Sequence, residues 1–172
     1  MMETRKDKKR IYWDSCVFIR LLSKTKDPPK VAEQEICTKF LQSAIEGNID
    51  IITSTVTIAE VVKTEELIQT PIPQSIRDKI SALFNEPCII LVSADLVIAK
   101  DARDKIWTYS WLDAIDSIHI SSAIYSKVNE MFSYDGLGVK KGILDLDGKV
   151  GSPPLKIKKP HFEGQQPLIT VT

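Results

Sequence analysis

Short apolar runs alternate along this chain with segments of helical spacing, and that alternation restricts the fold more than any other feature. The runs at Ile11 to Trp13, Asp50 to Thr53, Cys88 to Val92 and Met131 to Tyr134 read as strands, each too short and too apolar to keep one face in water. Cys16 to Leu22 reads as a helical start. Pro28 and Pro29 break the chain, and Lys30 to Glu46 has helical spacing that stops at Gly47. Thr57 opens a helix through Lys63, with Glu60 on the third position after it as in a capping box. Ser75 to Phe84 is helical, Ser93 caps a helix to about Trp107, and Ser110 caps another to about Val128. Strands buried on both faces and separated by helices imply a parallel sheet covered by helices, so the fold class is α/β.

A length of 172 residues implies one domain, with 43% hydrophobic and 27% charged residues as in an ordinary soluble globule. After Asp135 the pattern changes to Gly136, Gly138, Gly142, Gly148 and Gly151, followed by Pro153, Pro154, Pro160 and Pro167. The expected organisation is therefore a flexible basic start over 1–9, a core domain over 10–139 and an extended tail over 140–172 that packs on the domain or trails from it. Short strands in the tail are expected at Lys156 to Lys158 and Ile169 to Val171. The apolar runs fall far short of the ~20 residues that cross a bilayer, and Asp14 and Arg20 interrupt any apolar signal segment after the basic start. Cys16, Cys37 and Cys88 are odd in number and form no CxxC pair, which argues against a disulfide framework or a thiolate zinc site. A reducing cytoplasm is expected.

Formal charge is zero, 23 basic against 23 acidic residues, so no global field draws in nucleic acid. The distribution is uneven: residues 1–10 and 140–172 carry +3 each, leaving −6 in the centre. Several of those central acids have addresses at strand ends. Asp14 follows the first strand directly, Asp135 follows the last, Glu60 lies in the helix after the second, and Asp116 lies in the first turns of the helix before the last. In a parallel sheet, side chains beyond the carboxyl ends of the strands converge on one crevice. On a helix starting at Ser110, Asp113 and Asp116 point the same way, beside the apolar Ile120 and Ala123. Gathered carboxylates repel, by roughly 4 kcal/mol per pair at 4 Å and an effective dielectric of 20. A divalent cation offsets this, and an all-oxygen set suits Mg²⁺ or Mn²⁺. Such ions support phosphodiester hydrolysis, which makes a nucleic acid the expected substrate.

The segments that carry these acids resemble a known family. Ile11-Tyr12-Trp13-Asp14-Ser15-Cys16, Ser54-Thr55-Val56-Thr57-Ile58-Ala59-Glu60-Val61, Asp116-Ser117-Ile118-His119-Ile120-Ser121-Ser122-Ala123 and Phe132-Ser133-Tyr134-Asp135 are similar, in order and spacing, to the motifs of PIN domains, especially VapC-type toxin ribonucleases. The resemblance covers residues 10–136. It implies a three-layer α/β/α fold and a Mg²⁺- or Mn²⁺-dependent endoribonuclease with Asp14, Glu60, Asp116 and Asp135 as its acidic metal site. Asp14 and Asp116 would bind most directly. Ser15 and Ser133 match the family's hydroxyl positions and would support the acids, whereas Asp113 is no required position and is read as a solvated residue at the helix start and a supporting residue, with direct metal contact the minority alternative. An RNA substrate, an antitoxin partner and a homodimer follow by the same analogy, and no membrane.

Other residues have plainer readings. His119 is expected as a packed core or helix-edge histidine, Cys16 as a small buried thiol, and Trp107, Tyr109 and Trp111 as packing aromatics. Cations for a phosphate backbone are expected in the basic start and at Lys140, Lys141, Lys156, Lys158 and Lys159. The rival reading is a PIN-fold module that binds nucleic acid or protein with weak or lost catalysis. A dehalogenase-like phosphatase is disfavoured because Cys16 stands where a second Asp is needed, and no phosphate-cradling glycine loop follows a strand.

Overall fold

The computed structural model describes residues 8–64 and 71–162. Its sheet has five strands, β1 (Lys9–Trp13), β2 (Ile49–Ser54), β3 (Ile89–Val92), β4 (Glu130–Phe132) and β5 (Ile157–Lys158), in the spatial order β3-β2-β1-β4-β5. All four pairings are parallel, with Ile11 opposite Ile51 on one side and Glu130 on the other. The helices are α1 (Ser15–Leu22), α2 (Pro28–Ile45), α3 (Thr57–Glu60), α4 (Gln74–Phe84), α5 (Leu96–Thr108) and α6 (Ala114–Tyr125).

Two apolar cores show that both sheet faces are covered. Ile11, Trp13, Ile51 and Phe132 pack with Val17 and Phe18 of α1, Phe40 of α2 and Leu83 of α4. On the other face, Tyr12, Ile52 and Met131 pack with Ile120 and Ala123 of α6. Alternate residues of β1 thus serve opposite cores, as the two-residue period of a strand requires. The result is the three-layer α/β/α arrangement expected from sequence.

Boundaries differ from expectation where a competing cap or a tertiary contact wins. Asp95, not Ser93, starts α5, its carboxylate accepting from the backbone N–H of Val97 and Ile98 at 2.9 and 3.0 Å. Asp113, not Ser110, starts α6, accepting from the Asp116 N–H at 2.9 Å. Thr57 forms no capping box; its hydroxyl lies 2.7 Å from that of Thr53, which itself donates to the Trp13 carbonyl. The helix it begins stops at Glu60, because Val61 leaves helical geometry and buries its side chain in the first core. Gly47 does close α2, with a φ of +80° that favours glycine.

Beyond residue 140 the chain is more than an extended strand. It makes a 3₁₀ turn at Ile143–Leu146, adds β5 beside β4, and places Ile143, Leu144, Leu146, Val150, Leu155 and Ile157 in the second core. The strand expected at Ile169 to Val171 and most of the basic start lie outside the described residues. Among the described residues, no helix is long and apolar enough to cross a membrane.

Candidate active site

Strand order determines where the acids meet. The chain runs from β1 outward through β2 to β3, then returns to place β4 on the opposite side of β1. The switch in direction falls between β1 and β4, and a crevice opens there beyond the strands' carboxyl ends. Asp14 leaves β1 at that edge and Asp135 follows β4 after Ser133 and Tyr134. Helix α6 brings Asp116 in its first turn, and α3 brings Glu60 at its end.

Asp14 is buried and heavily hydrogen-bonded. As the N-cap of α1 it accepts from the Ser15 N–H at 2.7 Å, which sets its carboxylate at the positive end of the helix dipole. Its other oxygen accepts from the Ser133 hydroxyl at 2.9 Å and the Cys16 thiol at 3.0 Å. The Ser133 hydroxyl in turn accepts from the Asp135 N–H at 3.0 Å, tying the loop after β4 to the end of β1. Cys16 is therefore more than filler: burial first, and then the charge of Asp14, push its thiol well above the usual range, so it donates rather than ionises.

Glu60 is joined to Asp14 through two groups. The Ser15 hydroxyl lies 3.1 Å from Glu60 Oε1 and 3.4 Å from Asp14 Oδ1. His119 Nε2 lies 2.6 Å from Glu60 Oε2 and 3.6 Å from Asp14 Oδ1. Burial alone would lower the His119 pKa, but the hydrogen bond to Glu60 and the charges of Asp14, Glu60 and Asp116 outweigh it and raise it. Histidine 119 is buried as expected from sequence, yet it faces the acids. Its position three residues after Asp116, on the same side of α6, was the signal available in the sequence.

Asp135 is held from behind. Its Oδ2 accepts from the Ile143 N–H at 3.1 Å, and a Cβ on Gly142 would come within 2.1 Å of that oxygen. Only glycine allows this approach. The Asp145 carboxylate secures the same loop by accepting from the Leu137 and Gly142 N–H groups at 3.0 and 2.9 Å. Asp113 is exposed and engaged as the cap of α6, rather than aligned with Asp116 on one helical face as the longer helix implied.

Asp116 is half-buried, and its pKa is pushed up to about 7 by desolvation first and then by the charges of Asp113, Asp14 and Asp135. A raised folded-state value means the folded protein takes up this proton before the unfolded chain, so stability falls as pH rises from about 4 to about 7. The half-exposed carboxyl is screened, which reduces the effect to about 1–2 kcal/mol. Without divalent cations, Asp116→Asn should therefore be more stable than the parent at pH 8 by that amount, with the advantage gone near pH 4. Urea unfolding at both pH values checks this; an equal difference at both would contradict it.

The donor set fits a hard divalent cation, since the converging groups are carboxylates and Asp116 carries a repulsion that such an ion relieves. Among the described residues, no three ligating side chains are already grouped closely enough to hold an ion. A cleft of about 420 Å³ lies nearby along the C-terminal segment, lined by Leu137, Leu144, Lys149, Ile157 and Lys159 among others, not over the acids themselves.

A family model for the PIN domain matches residues 11–136. The chain belongs to the PIN domain family. Its fold is similar to that of a solved VapC20 from Mycobacterium tuberculosis, described as a toxin that cleaves the sarcin-ricin loop. The TM-score is 0.55 at 11% identity, over 74% of this chain and 91% of that one. None of the curated proteins matches the chain. The match of this PIN chain ends at residue 136, so β5 and the 3₁₀ turn behind Asp135 lie beyond the family model.

Proposed function

We propose that this PIN domain is a divalent-metal-dependent endoribonuclease, with Asp14, Glu60, Asp116 and Asp135 as the residues that would hold Mg²⁺ or Mn²⁺. The observation that carries the reading is the electrostatic convergence of Asp14, Asp116 and Asp135 at the switch point, with Glu60 linked to Asp14 through Ser15 and His119. A cation bound there supplies neutralisation of phosphate oxygens and a water of lowered pKa. The chain's own residues do the positioning. Ser133, Cys16 and the Ser15 N–H hold Asp14, the Ile143 N–H holds Asp135, and Asp113 fixes the start of the helix that carries Asp116.

An RNA substrate is supported by family membership and by the fold shared with an RNA-cleaving toxin. A cytoplasmic toxin restrained by an antitoxin, and a homodimer, belong to the same proposal. Leu96 and Val97 at the start of α5 are exposed apolar residues that a protein partner would cover. Trp107 is 71% exposed, with the Arg103 guanidinium 4.3 Å from its ring centroid, and so is not a core aromatic. That pair suits stacking on an unpaired base.

The rival reading is a binding module without catalysis. In either case two of the cations expected to meet phosphate are engaged internally, since Lys9 and Lys158 both pair with the buried Glu130 of β4. Single-stranded RNA incubated with the full chain separates the two readings. The nuclease cleaves internally with Mg²⁺ or Mn²⁺ and stops with EDTA; the module binds RNA and leaves it intact in every condition.

A further inference from the structure

We propose that His119 is a positioning residue of the acidic site, holding Glu60 in the orientation that places it beside Asp14. Its effect on rate rests on the ribonuclease reading, but the geometry stands independently. The imidazole is fully buried on α6, edge-on to the Tyr12 ring at 5.8 Å between centroids. Its Nδ1 lies 2.8 Å from the Tyr12 hydroxyl, and that hydroxyl oxygen accepts the Ser54 N–H at 3.0 Å. Nδ1 and the hydroxyl thus satisfy each other, and Nε2 donates to the carboxylate of Glu60 at 2.6 Å.

The ring is thus clamped between the ends of β1 and β2 on one side and the acids on the other. Both ring nitrogens are engaged within the protein, which suits a positioning role. Buried polar groups that are satisfied on both sides rigidify what they touch, and partners that orient an acidic ligand typically cost about 10–100-fold in affinity or rate when removed. Helix α6 then delivers two groups on one face: Asp116 to the crevice, and three residues later the group that fixes Glu60.

Replacement by amides of two lengths tests this. Glutamine reaches the Nε2 position and can still donate to Glu60; asparagine reaches only as far as Nδ1. In the full chain, His119→Asn should lower kcat for RNA cleavage by about 10–100-fold with little change in KM, and weaken Mn²⁺ binding by about tenfold in a titration followed by electron paramagnetic resonance. His119→Gln should restore most of both. A double-mutant cycle guards against a folding effect: in a Glu60→Ala background, His119→Asn should add nothing further.

Equal losses in the two amide variants, unchanged values in both, or losses that multiply with Glu60→Ala would each overturn the proposal. If the parent binds Mn²⁺ but cuts no RNA, the ribonuclease reading fails and the affinity series still decides the role of His119. A parent that binds no Mn²⁺ overturns both.

Discussion

Asp14→Asn should abolish metal-dependent RNA cleavage while leaving the fold intact. Asparagine keeps an oxygen for the Ser15 N–H that caps α1, and its amide can face the Ser133 hydroxyl, which both donates and accepts. What disappears is the charge at the junction of β1 and α1, where the network from Ser15, Cys16 and Ser133 is centred. Loss of residues that merely orient a ligand costs about 10–100-fold, so loss of the ligand charge itself should cost at least about 100-fold in kcat. Asp116→Asn should have a comparable effect from the opposite side of the crevice. Circular dichroism and single-turnover cleavage with Mn²⁺ separate folding from chemistry. Activity within a few-fold of the parent in either variant would remove that residue from the site.

The second large effect concerns the C-terminal segment. Leu146 is 1% exposed in the core that also contains Tyr12, Ile52, Ile120 and Met131. Truncating a leucine at such a position costs about 2–5 kcal/mol, the lost transfer energy plus the cavity left behind. At roughly 2–4 °C per kcal/mol for a chain of this size, Leu146→Ala should lower the melting temperature by roughly 5–20 °C. Ile120→Ala in α6 should cost a similar amount, since both side chains fill one core. A change of under about 0.5 kcal/mol for Leu146→Ala, the usual surface value, would show that the segment only rests on the domain. The consequence reaches the site, because the same segment supplies the Ile143 N–H that holds Asp135.

The core strands and the addresses of the acids were legible in the sequence for one reason: a buried parallel strand needs a continuous apolar run, and an acid at its end interrupts the run visibly. Asp14 after Trp13 and Asp135 after Phe132-Ser133-Tyr134 are such interruptions. Helix starts were less legible. Ser93 and Asp95, or Ser110 and Asp113, are all competent caps locally, and the choice is made by where the following helix must pack, which spacing along one helix does not reveal. The early end of α3 has the same origin, since burial of Val61 in the first core outweighs a helical preference worth only tenths of a kcal/mol.

Two parts of the site had little sequence signal. The edge strand β5, Ile157–Lys158, falls within the stretch Lys156 to Lys158 expected as a strand, but two residues are too few for any period, and its pairing with Met131 and Phe132 had no signal in the sequence. His119 lies in a run of small and apolar residues, where a buried ring is the plain expectation. Its contact with Glu60 comes from a helix 59 residues away in sequence and becomes visible only once the sheet brings α3 and α6 to one edge.

The central proposal is that carboxylates from four separate segments act together in holding divalent metal. Mn²⁺ titration followed by electron paramagnetic resonance tests it on the full-length parent, Asp14→Asn and Asp116→Asn at pH 8, above the raised pKa of Asp116. The account predicts saturable binding by the parent, weakened at least about tenfold by either substitution. Binding that is absent from the parent, or unaffected by both substitutions, would contradict it.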